Sequence, residues 1–392
     1  MHIFFSVGEP SGDQHAAHLM RELQARQPDV RCSGFGGPLM EEAGLESQFR
    51  LTNLAVMGLL KVLPLIGKFY SLVKQAERYF AEQKPDAVVL VDFPGFNWWI
   101  AKKAKAAGIP VFYYLPPQLW AWASWRVRKV RKFVDHVISA LPFERDWYQS
   151  QNIAVDYVGH PFFDEIADHP LDEKFVANWQ SGSRRIVALL PGSRNQEVAR
   201  NWPIILEAAR RLHADHPDVT FLAACFRDQH RRSCQTEQLV KCPSLPVQFF
   251  VGKTSEIIEV ADCAMMVSGS VSLELLARGT PAAVVYSLSQ GMNILRHLLL
   301  RCRYISLPNL IADREVMPEF ISVGNPEPAI AGLHRSVTEW LASPLALEQV
   351  RQSLSETGKG FQETGATART AETILRHLGA VEDPSETANR AA

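Results

Sequence analysis

Two short segments carry residue types suited to holding a charged ligand. One is Pro191-Gly192-Ser193-Arg194, and the other runs Ser268-Gly269-Ser270 to Glu274. Each follows an apolar run and opens a stretch with helical spacing. Backbone N–H groups at such turns, helped by the positive end of a helix, can hold a diphosphate. Arg194 adds a planar fork of donors for phosphate oxygens. Glu274 sits about one turn into its helix, where a carboxylate can accept from both ribose hydroxyls. The combination describes a nucleotide-diphosphate site. Gly252, just behind the apolar run 247–251, is grouped with it. The chain has no D-x-D motif and no clustered metal-ligand spacing. The expectation is therefore no metal and no cofactor, with helix ends and arginine neutralising the diphosphate.

The N-terminal half has its own set. Residues 8–13 read GEPSGD, placed after the strand-like run 2–7 and before a helical stretch. The dinucleotide spacing G-x-G-x-x-G is absent there. Asp92 and Asn97 follow the apolar run 87–91, Gln118, Trp120 and Trp122 follow 111–114, and Gly159-His160-Pro161 follows 155–158. Each piece has a plain alternative: Asp92 as a helix cap, the tryptophans as packing, the glycine segments as turns or helix starts. Collected at the carboxyl ends of strands, they point to a cleft between two domains.

The elements that must position these residues alternate. Further strand-like runs occur at 136–139, 186–190, 219–224, 263–267 and 282–286, with helical stretches between. This is an α/β pattern with parallel sheets, in two Rossmann-like halves. The expected domains are residues 1–165 and 166–379, the final helices being candidates to pack back on the first, with a polar, disordered tail at 380–392. A chain of 392 residues suits two domains. A net charge of −1 argues against nucleic-acid binding driven by overall charge. Six scattered cysteines suggest a reduced cytoplasmic chain, and no signal peptide or spanning segment is expected. Residues 54–70 (LAVMGLLKVLPLIGKFY) are strongly apolar, which suits either a core segment or a lip dipping into lipid. Leu59, Leu60, Leu63, Leu65, Ile66 and Phe69 are the candidate membrane contacts. Two basic groups, Arg126, Arg128, Lys129, Arg131 and Lys132 and then Arg296, Arg301 and Arg303 flanking 298–300, suit an anionic interface or solvated helix faces.

In order along residues 1–320, the chain carries GEPSGD, V-D-x-P-x-F-N at 91–97, Y-x-x-P-x-x-W-A-W at 114–122, LPFE at 141–144, GH at 159–160, LLPGSR at 189–194, SGSVSLE at 268–274 and SLPNL at 306–310. The series resembles the lipid-A-disaccharide synthases, glycosyltransferases of the two-domain GT-B fold. The resemblance implies transfer of 2,3-diacylglucosamine from UDP-2,3-diacylglucosamine to 2,3-diacylglucosamine 1-phosphate (lipid X), with inversion, by a peripheral enzyme of the inner membrane's cytoplasmic face. It implies Asp92 as the base, Arg194 at the diphosphate, Glu274 at the ribose and Asn309 near the diphosphate. It puts Gly8, Glu9, Ser11, Gly12, Asp13, Asn97, Gln118, Trp120 and Trp122 on the acceptor side, although Asp13 also suits a cap. A homodimer is a further implied partner. Lys61, Gly95 and Leu115 depart from the family pattern, all in the acceptor half. Other readings are another GT-B transferase, such as the peptidoglycan N-acetylglucosamine transferase, a UDP-N-acetylglucosamine 2-epimerase of the same fold, or a carrier without chemistry.

Overall fold

The computed structural model describes residues 1–54, 63–181, 184–291, 293 and 302–381. The chain divides into two compact units: Met1–Asp164 joined by the segment from Glu363, and Glu165–Gln362.

The first unit is built on β1 (His2–Val7), β2 (Arg31–Gly36), β3 (Glu46–Arg50), β4 (Ala87–Val91), β5 (Val111–Tyr114), β6 (His136–Ser139) and β7 (Val155–Tyr157). They form one parallel sheet in the order β3-β2-β1-β4-β5-β6-β7. Both faces of the inner strands β1, β4 and β5 are buried, which is why these read as unbroken apolar runs. Ile3, Phe5 and Val89 face one core with the helices Pro10–Arg26 and Ala366–His377. Phe4, Val88 and Leu90 face the other, with the helices Ile66–Gln83 and Pro94–Ala106. The order reverses between β1 and β4, and such switch points open a crevice at the strands' carboxyl ends. Val7 pairs with Val91, so Gly8 and Asp92 leave the sheet side by side.

Gly8 shows what that proximity demands. A Cβ there would lie 2.2 Å from Cδ1 of Phe93. We expect Gly8→Ala to push this ring aside and cost about 1–3 kcal/mol, an overpacking effect measurable by urea unfolding.

The second unit holds β8 (Arg185–Leu190), β9 (Val219–Cys225), β10 (Val247–Val251), β11 (Cys263–Val267), β12 (Ala282–Leu288) and β13 (Glu319–Val323). Their order is β10-β9-β8-β11-β12-β13, all parallel. Its switch point lies between β8 and β11. Leu190 pairs with Met266, so the loops 191–194 and 268–270 also emerge as neighbours.

At the C-terminus the chain returns to the first unit, the packing back that the sequence left open for the final helices. Residues from 363 onward join the first unit rather than the second. Helix Ala366–His377 turns Ala371, Ile374 and Leu375 into the core shared with Ala16 and Met20 of helix Pro10–Arg26. Its start is held by Asp164, whose carboxylate accepts from the N–H groups of Gly365 (2.6 Å), Ala366 (3.3 Å) and Thr367 (2.8 Å). Arg369 donates from Nε to the Val158 carbonyl at 2.9 Å. Gly159, at φ 83°, leaves room for that guanidinium. The helices Glu327–Ala342 and Pro344–Gly358 stay with the second unit. Residues 382–392, most of the expected tail, lie outside the described residues. No helix among the described residues is long and apolar enough to cross a membrane.

Candidate active site

In the first unit the site centres on the residue after β4. Asp92 and Phe93 both take left-handed backbone conformations, at φ 45° and 46°. For two consecutive residues with side chains this is costly, so the surroundings must hold it. They do so from beneath. Asn97 Nδ2 donates to the carbonyls of Asp92 (2.8 Å), Ser6 (3.2 Å) and Val91 (3.3 Å), while its Oδ1 accepts from Ser6 Oγ at 2.7 Å. The Tyr113 hydroxyl donates to the Asp92 carbonyl at 2.8 Å. The Asp92 side chain is half-buried on this fixed backbone.

Several acceptor-side expectations are corrected by these contacts. Asn97 is fully buried and both its polar atoms are committed, so it positions Asp92 instead of meeting a ligand. Asp13 is buried, and its carboxylate accepts from the N–H groups of Gly37 (2.9 Å), Leu39 (3.0 Å) and Met40 (3.2 Å). It therefore caps the short helix Pro38–Glu42, a helix other than its own. Gly8 makes space for Phe93, and a Cβ on Gly12 would lie 3.0 Å from Val7 Cγ1. Both glycines allow close packing of protein on protein at this loop. In the same loop Glu9 starts the helix without a side-chain cap bond, and Ser11 is exposed.

Gln118 is exposed, while Trp120 and Trp122 are part-buried. The Trp122 ring carries the Arg126 guanidinium 4.9 Å from its centre. Trp120 meets Phe143 edge-on at 4.8 Å and donates from Nε1 to Glu144 at 3.2 Å. Glu144 was not among the residues expected in a site. It is buried in the first turn of helix Pro142–Ser150, and its sequence signal was its place at the end of the LPFE motif, just inside a proline-led helix start. His160 is neutral, held down to about 3 by burial and then by His15. The Phe162 N–H donates to its Nδ1 at 3.2 Å, which leaves the ring proton on Nε2. Of the departures from the family pattern, Gly95 faces open space and Leu115 is left-handed at φ 49°. Lys61 lies outside the described residues.

In the second unit Gly192 takes φ 104°, and the turn delivers Arg194 to the start of helix Asn195–Asp215. Arg194 pairs with Glu197 at 2.7 Å and its side chain remains 54% exposed. Asn201 ties this helix to β12: it donates to the Glu197 carbonyl at 2.8 Å and accepts from the Ser287 N–H at 2.7 Å. Burial, followed by the Glu197 charge, pushes the nearby Tyr286 phenol up. Across the switch point, Gly269 and Ser270 are exposed, and a Cβ on Gly269 would meet nothing. Ser268 donates to the Ile305 carbonyl at 3.3 Å. Glu274 is buried one turn into helix Val271–Arg278 and accepts from Arg278 Nε at 3.1 Å. Ser193 follows Gly192 on the exposed turn, and Gly252 (φ 69°) ends the edge strand β10.

Asn309 is the correction in this half. It is fully buried, donating to the Met317 carbonyl and Glu319 Oε1 (both 2.7 Å) and accepting from the N–H groups of Val316 (2.7 Å) and Met317 (2.8 Å). With four bonds made inside the protein, it holds a loop and has nothing left for a diphosphate. Among the candidate membrane contacts, Phe69 is part-buried against Phe93 (6.2 Å) and Phe96 (5.5 Å), so it packs in the core. Leu65 is part-buried and Ile66 is 54% exposed. Leu59, Leu60, Arg296, Arg301 and residues 298–300 lie outside the described residues.

The sequence profile of the lipid-A-disaccharide synthetase family matches residues 3–346. The chain belongs to this family. The lipid-A-disaccharide synthase of Anaeromyxobacter dehalogenans is 35% identical over 377 residues, 95% of this chain and 96% of its own. That of Pseudomonas putida is 38% identical over 318 residues, 80% and 84% of the two chains. Among solved structures, a Staphylococcus aureus MnaA–UDP co-structure aligns with TM-score 0.68 at 11% identity, covering 97% and 98%. The calicheamicin glycosyltransferase CalG4 aligns with TM-score 0.61 at 15% identity, covering 97% and 99%. These last two likenesses establish the GT-B type fold alone. Family membership makes the chain a glycosyltransferase of lipid A biosynthesis acting on a UDP-sugar, and the epimerase alternative has only the shared fold behind it.

Proposed function

We propose that the chain moves 2,3-diacylglucosamine from UDP-2,3-diacylglucosamine to 2,3-diacylglucosamine 1-phosphate (lipid X), inverting the anomeric carbon in one displacement. The observation that carries this is Asp92 at the first unit's switch point, its backbone clamped by Asn97 and Tyr113. An inverting transfer needs one fixed base to take the acceptor hydroxyl proton. In the second unit, Arg194 and the starts of helices Asn195–Asp215 and Val271–Arg278 neutralise the departing UDP, and Glu274 takes the ribose. No metal is required in this scheme.

Both substrates carry acyl chains, so the enzyme works at the cytoplasmic surface of the inner membrane. Support comes from Trp99 and Trp125, 57% and 59% exposed, together with the exposed Arg128, Lys129, Arg131 and Lys132 on helix Val127–Phe133. Exposed indoles beside cations suit an anionic lipid interface.

The test incubates enzyme, donor and acceptor with chelator and follows the disaccharide by mass. Product formed without metal supports the scheme. UDP release without disaccharide would keep the donor half and demand another acceptor. The Arg194–Glu197 pair adds a smaller expectation. Such a half-exposed pair is worth about 0.2–1 kcal/mol, so Glu197→Gln should raise the KM for the UDP-sugar about 2–5-fold with kcat little changed.

A further inference from the structure

We propose that Glu144 is a proton-bearing positioning residue of the acceptor half: as a neutral carboxylic acid it holds Trp120 on the face that carries Asp92, and ionising it withdraws that support. The functional part rests on Asp92 being the base.

Strands β4, β5 and β6 are neighbours in the sheet, so their carboxyl ends deliver Asp92, Trp120 and the Ser139-to-Glu144 turn to one face. Glu144 is only 3% exposed. Its Oε1 accepts from Trp120 Nε1 at 3.2 Å, and its Oε2 lies 3.0 Å from Ser139 Oγ. The same Ser139 Oγ lies 3.1 Å from the Leu141 carbonyl. A hydroxyl has one hydrogen to give. With Glu144 ionised, Oε2 and the Leu141 carbonyl compete for it, which weakens the bonding of a buried charge. With a proton on Oε2 the chain closes: Glu144 donates to Ser139, and Ser139 donates to Leu141.

The surrounding groups favour the same state. Asp92 faces Glu144 from the loop after β4 with a like charge, and the phenol of Tyr148 faces it from its own helix. Tyr113, on β5, lies near Asp92, and both phenols are themselves pushed up by burial, so they stay neutral. Ser139, Trp120 and the Ala140 N–H donate toward the carboxyl and pull the other way, but none of them brings a positive charge, and burial outweighs them. Arg145, next in the helix, is engaged with Asp146 and the Tyr157 ring. Burial first, and Asp92 in addition, push the Glu144 carboxyl up to about 8. Neutral Glu144 gives the indole an acceptor without adding a second negative charge beside the base, where an anionic acceptor must also approach.

Glu144→Gln reproduces the neutral acid, with its Oε1 accepting from Trp120 and its Nε2 donating to Ser139. Two measurements on the full chain test the idea. First, the infrared difference between native and Glu144→Gln protein should show a protonated carboxyl C=O stretch at pH 7 that titrates away with a midpoint near 8. Second, disaccharide formation by the native chain should fall above pH 8, while Glu144→Gln keeps the pH 7 rate within about threefold and loses that decline. Absence of the protonated band at pH 7 overturns the proposal. So does a loss of more than about tenfold at pH 7 in the folded Gln variant, or an unchanged alkaline limb. If the native chain makes no disaccharide, the substrate assignment falls, and the infrared band still decides whether Glu144 holds its proton.

Discussion

Asp92→Asn is expected to lower kcat by about 10²–10⁴-fold, the usual contribution of a positioned general base, while leaving the fold intact. The fold should survive for a reason visible in the backbone. The stabilising bonds from Asn97 and Tyr113 go to the Asp92 carbonyl, which the substitution keeps. Asparagine also tolerates the left-handed region at least as well as aspartate, so φ 45° at this position is no obstacle. The variant should unfold at the same urea concentration as the native chain, or slightly higher. Asp92→Ala is a poorer test, because alanine in a left-handed conformation costs about 1 kcal/mol on its own. The checks are single-turnover kinetics and urea unfolding on the same preparation. An Asn variant with native kcat would remove Asp92 from the chemistry and leave its strained backbone without a functional reason. Loss of kcat together with a large fall in stability would instead mean that the carboxylate is part of the scaffold.

Strand-end placement was legible because buried parallel strands advertise themselves as apolar runs, and in a doubly wound sheet ligands bind beyond their carboxyl ends. That reasoning put Asp92, Arg194, Glu274 and both glycine turns at strand ends, where the structure has them, and it found the two-sheet architecture. It failed where the same residue type has two uses that only a distant partner distinguishes. Asn97 reads as a polar residue after a strand, yet its Oδ1 is met by Ser6 from β1. Asp13 reads as a cap for its own helix or a ligand group, and the fold gives it the start of helix Pro38–Glu42 instead. Glu144 stood in the LPFE motif with no role of its own, and only the fold brings Trp120, after β5, and Ser139, on β6, to it. The C-terminal helix is a case the sequence left open. Nothing local in residues 366–377 says that their apolar face belongs against helix Pro10–Arg26, since that pairing spans nearly the whole chain. Local pattern reveals what a residue can do, and long-range pairing selects which of those uses it performs.

Asn309 turns that distinction into a measurement, and Asn309→Ala should destabilise the second unit by about 3–5 kcal/mol, the range for breaking a buried polar network. The side chain is completely buried, and its removal orphans two N–H groups, at Val316 and Met317, and the Met317 carbonyl. It also strips one donor from Glu319. That carboxylate otherwise accepts from the N–H groups of Ile305 and Ser306 (2.8 Å each), from the Ser306 hydroxyl (2.6 Å) and from Asn309 (2.7 Å). Through Ile305, whose carbonyl receives the Ser268 hydroxyl, the same network supports the loop of Ser268, Gly269 and Ser270. The damage should therefore show in unfolding before it shows in ligand affinity. Urea unfolding followed by tryptophan fluorescence, to which Trp202 in this unit's core contributes, is the direct readout. A residue that only touched the diphosphate would do the reverse, raising the KM for the UDP-sugar while the unfolding midpoint stayed where it was. Asn309→Asp sharpens the contrast. It keeps the acceptor for Val316 and Met317 but sets a second carboxylate against Glu319, so its stability deficit should shrink as the pH falls and one of the two takes up a proton. A deficit independent of pH would mean that the lost Nδ2 donor to the Met317 carbonyl, and not charge repulsion, dominates the network.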